Sequence, residues 1–148
     1  MKKYLQNKMN NEKGMTLIEL LAVIVIIAII AAIAIPAIGN IIENSRYSAV
    51  KSDALNVISA AQIYYTENAT ATSVTVTQLE DDGYLETSGS LVSENTVAKP
   101  STGGLALTTA DPIVYSGEKS VTFTGATVNG INADNQKGSD ETISNITE

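Results

Sequence analysis

At 148 residues the chain has room for one modest domain, and it contains neither cysteine nor histidine, which excludes thiolate chemistry, imidazole acid–base catalysis, Cys/His metal sites and disulfide staples. The formal charge of −7 is unevenly spread: residues 1–14 carry Lys2, Lys3, Lys8 and Lys13 against Glu12, while everything after Gly14 has five cations and 15 carboxylates. An acidic bulk repels polyanions, so direct nucleic-acid binding is not expected.

Residues 1–14 are rich in Lys and Asn without apolar periodicity, and are expected to form an unstructured cytoplasmic leader. From Leu20 to Ile42 no residue is charged. As a helix this stretch is ~35 Å long, enough to cross the ~30 Å hydrocarbon core of a bilayer. The basic short end and the acidic remainder predict an N-terminus in the cytoplasm and residues 43–148 outside. One carboxylate, Glu19, sits between Ile18 and Leu20 at the start of the run. A charge there costs free energy, and such residues generally serve a function unless they snorkel to the headgroups. A secretory signal peptide cut at Ala32-Ile33-Ala34 is one reading, and a plain single-pass anchor is another. Against the signal peptide, Leu17 to Ile33 is longer than the usual run of about 7–15 residues. The chain also stays apolar through Ile35, Ile38, Ile41 and Ile42.

Lys13-Gly14-Met15-Thr16-Leu17-Ile18-Glu19-Leu20, followed by the apolar run to Pro36, resembles the class III signal of type IV prepilins and pseudopilins. The resemblance covers about residues 13–46 and rests on the glycine, the carboxylate five residues after it, the later proline and the basic leader. It implies that a prepilin peptidase cuts between Gly14 and Met15 and methylates the new amine of Met15. Met15 departs from the Phe most common at that position. The resemblance also implies that Glu19 faces the N-terminal amine of a neighbouring subunit and so sets the assembly register. A carboxylate buried among aliphatic side chains needs such a counter-charge. The implied partners are the chain itself in a helical homopolymer, the prepilin peptidase, an inner-membrane assembly platform, and the membrane before assembly. The implied destination is an extracellular pilus filament with roles in motility, adhesion or DNA uptake. Major pilin is the favoured reading, with a minor pilin or a pseudopilin of a competence or secretion system as alternatives. A membrane-tethered monomeric binding module is the alternative from another class. The absence of cysteine departs from Gram-negative members that close a C-terminal loop with a disulfide, and fits a Gram-positive source.

Pro36 offers no N–H to the carbonyl of Ala32, and Gly39 weakens a helix by ~1 kcal/mol relative to Ala. A kink or soft segment is predicted across Ala32–Gly39, and the resemblance implies that it unwinds in the assembled filament.

Beyond Ile42 the pattern becomes one-faced. Tyr47, Val50, Ala54, Val57, Ala61 and Tyr64 recur at three- and four-residue steps, widened by Leu55, Ile58 and Tyr65. The helix is predicted from near Thr16 to about Glu67, its second half a spine for the following domain. Past residue 68, Thr, Ser, Val and Gly dominate. Thr77-Gln78-Leu79-Glu80 fits a capping box opening a short helix that ends at Gly83, with Leu79, Tyr84 and Leu85 inward. Ser88 to Gly104 reads as a loop. Leu105–Thr109, Ile113–Ser116 and Ser120–Thr124, with a possible fourth run at Ala126–Ile131, read as an antiparallel meander facing the spine through Leu107, Val114, Val121 and Phe123. Asn132 to Glu148 is predicted to be a surface loop and mobile tail. Within it, Asn132, Asp134, Gln136 and Asp140 only faintly resemble a calcium loop.

The expected fold class is therefore α+β, a long N-terminal helix packed on a small antiparallel sheet in the manner of pilins. The expected organisation is leader 1–14, transmembrane or filament-core helix 15–42, amphipathic spine 43–67 and β-rich domain 68–148. No catalytic constellation, metal or cofactor is expected, and the chain is not read as an enzyme.

Overall fold

A computed structural model describes the backbone of residues 2–147 and the side chains of residues 16–147. The first helix, α1 (Lys2–Glu67), carries Pro36 inside it. Its helical backbone begins well before Thr16, which corrects the expectation of an irregular leader. Residues 2–13 contain no proline or glycine. Once a helix is nucleated, each added residue gains a hydrogen bond without a fresh nucleation cost, so helix formers such as Lys, Leu and Gln extend it. The chain divides into two units, Met1–Gly39 and Asn40–Glu148.

In the second unit the stripe on α1 forms the core. Tyr47, Val50, Ala54, Val57, Ile58, Ala61, Tyr64 and Tyr65 are all buried, and Leu55 packs at the margin. Ala54 and Ala61 are fully enclosed within this core. The hydroxyl of Tyr65 donates to the carbonyl of Val97 at 2.7 Å.

Two sheets stand where one meander was expected. The first joins β1 (Ser73–Thr75), β2 (Thr96–Ala98) and β3 (Ala106–Thr108), antiparallel in the order β1-β2-β3. Its central row, Val74–Val97–Leu107, is fully buried. The second is a hairpin of β4 (Ile113–Ser116) and β5 (Lys119–Val121), turned at Gly117 with φ 56°. A positive φ is cheap only for glycine. Strand β2 lies inside the segment expected to be a loop, and β1 precedes the first expected strand. Each is three residues long, too short for alternation to register.

The hairpin also reverses one facing. Ile113 and Tyr115 are buried and Val114 is 64% exposed, contrary to the inward placement expected for Val114. A one-residue shift in a strand exchanges its faces. Leu107, Val121 and Phe123 are buried as expected.

Helix α2 (Val76–Asp81) is capped by Thr75 and Gln78, each two residues before the expected pair Thr77 and Glu80. The Thr75 hydroxyl accepts from the Gln78 amide, and the Gln78 side-chain oxygen accepts in return from the Thr75 amide. This register buries Val76 and Leu79. Glu80 instead accepts from the Ser88 amide at 2.8 Å, and the Thr77 hydroxyl donates to Ser93. Gly83, at φ 79°, ends the segment as expected.

The possible fourth strand is a helix, α3 (Val128–Ala133), opened by Thr127, whose hydroxyl accepts from the Gly130 amide. An N-cap plus one buried side chain, Ile131, outweighs a period-two pattern.

The C-terminal stretch is not a mobile tail up to Thr147. Ile146 is buried, and it pairs in parallel with Phe123 through bonds from Thr124 N to Ile146 O and from Ile146 N to Thr122 O, each 3.0 Å. The fold is thus α+β, a long N-terminal helix with small antiparallel sheets, as a pilin-like architecture requires.

Candidate assembly site and the clasp on the spine

The first unit is dominated by exposed aliphatic side chains. From Leu17 to Ile38 every leucine, isoleucine and valine is between 49% and 69% exposed. A soluble monomer rarely shows such a contiguous apolar surface, so this one belongs in lipid or against other protein. Thr16–Glu67 is, among the described residues, the one helix long and apolar enough to cross a membrane. Glu19 lies exposed on α1 at the start of this surface. Pro36 and Gly39 stand exposed near its end, and a Cβ at Gly39 would meet nothing within 4 Å. The expected cleavage pair, Gly14 and Met15, lies outside the residues whose side chains are described.

The second unit holds a set of contacts that the sequence did not suggest. Tyr47 and Lys51, one turn apart on α1, both donate to Oδ2 of Asp134, at 2.7 and 3.0 Å. Lys51 also reaches the Asp134 carbonyl at 2.8 Å, and Gln136 donates to Oδ1 at 2.7 Å. A second tie runs from Lys119 Nζ to Glu43 and to the Ser139 carbonyl, each 2.8 Å, while the Ser139 amide donates to Asn44. Between the two ties the backbone of Gly138 lies on the helix. A Cβ there would stand 2.4 Å from the Glu43 carbonyl oxygen and 2.6 Å from Tyr47 Cβ, so glycine alone fits. These contacts clasp residues 134–139 to the spine without a covalent bond. Of the residues that faintly resemble a calcium loop, Asp134 and Gln136 belong to this clasp, and Asp140 accepts from the Lys137 amide.

Burial works against an ionised Asp134, but the bonds from Tyr47 and Gln136 and the Lys51 ammonium outweigh it and hold the carboxyl below its usual range. The Tyr47 phenol is pushed well above its ordinary range, by burial first and by its bond to Asp134 second, so it donates as the neutral group. A carboxyl whose folded pKa is depressed contributes stability that is complete above the unfolded value of about 3.9 and is lost as pH falls through the folded value. Asp134→Asn is expected to cost about 2 kcal/mol near neutral pH, the usual worth of hydrogen bonds to a charged group. Thermal unfolding followed by circular dichroism should show the gap between variant and wild type widest at neutral pH and closing below about pH 4. A gap that is constant down to acid would contradict this role for Asp134.

The signal for the clasp was half present. Tyr47 and Lys51 are four apart on one helix face, but their partner lies 83 residues beyond Lys51 and has several acidic neighbours.

Comparison with known protein families matches residues 9–35 to the prokaryotic N-terminal methylation motif. The match contains Gly14, Met15 and Glu19 and supports a type IV pilin-like, prepilin-like or pseudopilin protein. The motif implies processing by a prepilin peptidase, and with the apolar helix it fits a membrane-anchored precursor. Comparisons with curated proteins and with solved structures gave no match.

Proposed function

We propose that the chain is a structural, non-catalytic subunit, a major pilin, of a type IV pilus filament. The carrying observation is the membrane-length exposed aliphatic helix that holds one carboxylate, Glu19, inside the methylation motif. In this reading the leader, residues 1–14, is removed and Met15 is N-methylated, which leaves a basic amine. The bilayer then stores the stem until an assembly platform extracts it into a helical homopolymer. Burial in the filament core would leave Glu19 uncompensated without a cation, and the amine of a neighbouring Met15 supplies one. Pro36 and Gly39 form a soft segment that unwinds after assembly. The acidic outer domain favours motility or adhesion over direct capture of nucleic acid.

Sheared surface material from cells that express the chain should contain filaments labelled along their length by an antibody to the second unit. Labelling confined to filament tips would favour a minor pilin. Absence of labelled filaments, with all of the chain retained in the membrane, would overturn the proposal in favour of a tethered monomer.

A further inference from the structure

The exposed side of α1 between Asn40 and Thr66 bears one charged residue, Arg46. Everything after Gly14 is otherwise strongly acidic. Lys51 and Lys119 are committed to carboxylates within the chain, whereas Arg46 makes no ion pair among the described residues. Around it small polar side chains prevail, with the exposed Ile42 one turn before it. Ser45, Ser48, Ser52 and Ser59 are exposed, and the hydroxyls of Ser52 and Ser59 are turned back onto helix carbonyls at 3.0 and 2.8 Å. Such a face surrenders little hydration when another surface approaches it.

The opposite end of the spine has the opposite sign. Glu67 lies about six turns and ~32 Å beyond Arg46, near the same side of the helix. The Tyr84 hydroxyl donates to Glu67 and draws the end of α2 to the end of α1. Asp81 and Asp82 are exposed there and unpaired among the described residues. We infer that the spine docks head-to-tail on a second copy of this chain, with Arg46 against the acidic corner formed by Glu67, Asp81 and Asp82 of that copy. The contact rests on the filament reading and adds to it a polar register outside the stem.

Charge reversal tests it in cells producing the full-length chain. Arg46→Glu places like charges together and should reduce sheared filaments about tenfold or more. The double variant Asp81→Lys, Asp82→Lys should do the same from the other side, and all three changes together should restore filaments to at least half of wild type. The thermal midpoints and mature N-termini of the variants should match wild type, because no substituted side chain is buried. Wild-type filament levels in Arg46→Glu, or failure of the combined variant to recover, would overturn the docking and leave the filament reading standing. A wild-type chain that forms no filaments would overturn both.

Discussion

Replacing Glu19 by alanine is expected to abolish filaments while improving membrane insertion of the precursor. The two effects have opposite sign, which makes the experiment decisive. A carboxylate in a transmembrane helix disfavours insertion, and alanine relieves that cost. In the proposed filament core the same change would leave the methylated amine of a neighbour buried without its counter-charge. Losing one member of a buried pair costs about 3–5 kcal/mol, equivalent to at least a hundredfold in the association of each subunit. Glu19→Gln separates charge from shape, because it keeps the volume and loses the ion pair, and it is expected to behave like alanine in assembly. Filament counts in negative stain, normalised to membrane-bound protein, supply the measurement. Undiminished filaments in both variants would remove Glu19 from the assembly mechanism and return it to a snorkelling rim residue.

The second large effect is expected at Phe123. Its ring is fully buried, and its backbone joins two distant segments: it donates to the Thr109 hydroxyl at 3.1 Å and accepts from the Thr109 amide at 2.9 Å. It also pairs with Ile146, so the C-terminal segment is tied beside it. Phe123→Ala removes the largest fully buried side chain of the core and is expected to cost about 3–5 kcal/mol, or about 10 °C in Tm. In cells the variant should be depleted by proteolysis, since its fraction unfolded rises steeply. Surviving molecules should still be cut after Gly14, because the methylation motif lies wholly within residues 9–35. Calorimetry or circular dichroism of the full chain in detergent measures the first effect. A midpoint within 2 °C of wild type, against the expected drop of about 10 °C, would mean that Phe123 does not close the core.

The stem and the spine were legible because their information is local. An uncharged run from Leu20 to Ile42 has few structural solutions, and a stripe repeating at three and four residues from Tyr47 to Tyr65 has one. The domain beyond was legible only in composition. Thr75-Val76-Thr77-Gln78 and Thr77-Gln78-Leu79-Glu80 both satisfy the capping-box pattern, and the choice falls to burial of Val76 and to its amide reaching the Asn95 carbonyl at 2.9 Å. Strands of three residues such as Ser73–Thr75 and Thr96–Ala98 exist because partners from distant segments complete them. The same holds for the clasp. A cysteine pair would have advertised the closure of the C-terminal loop, but Lys51, Asp134, Lys119, Glu43 and a glycine that must lie on a helix carbonyl leave no pairing mark in one sequence. The chain secures with ion pairs and one close backbone approach what a covalent bond would otherwise secure. That closure is therefore sensitive to acid.

The claim that joins these observations is that the apolar stem becomes a filament core only after a cut at Gly14 creates the cation that Glu19 meets. Mass spectrometry of the chain recovered from sheared surface material measures this directly. The predicted N-terminal peptide begins at Met15 and carries one methyl group on its α-amine. A chain that retains Met1, or one that begins after Ala34, would contradict it.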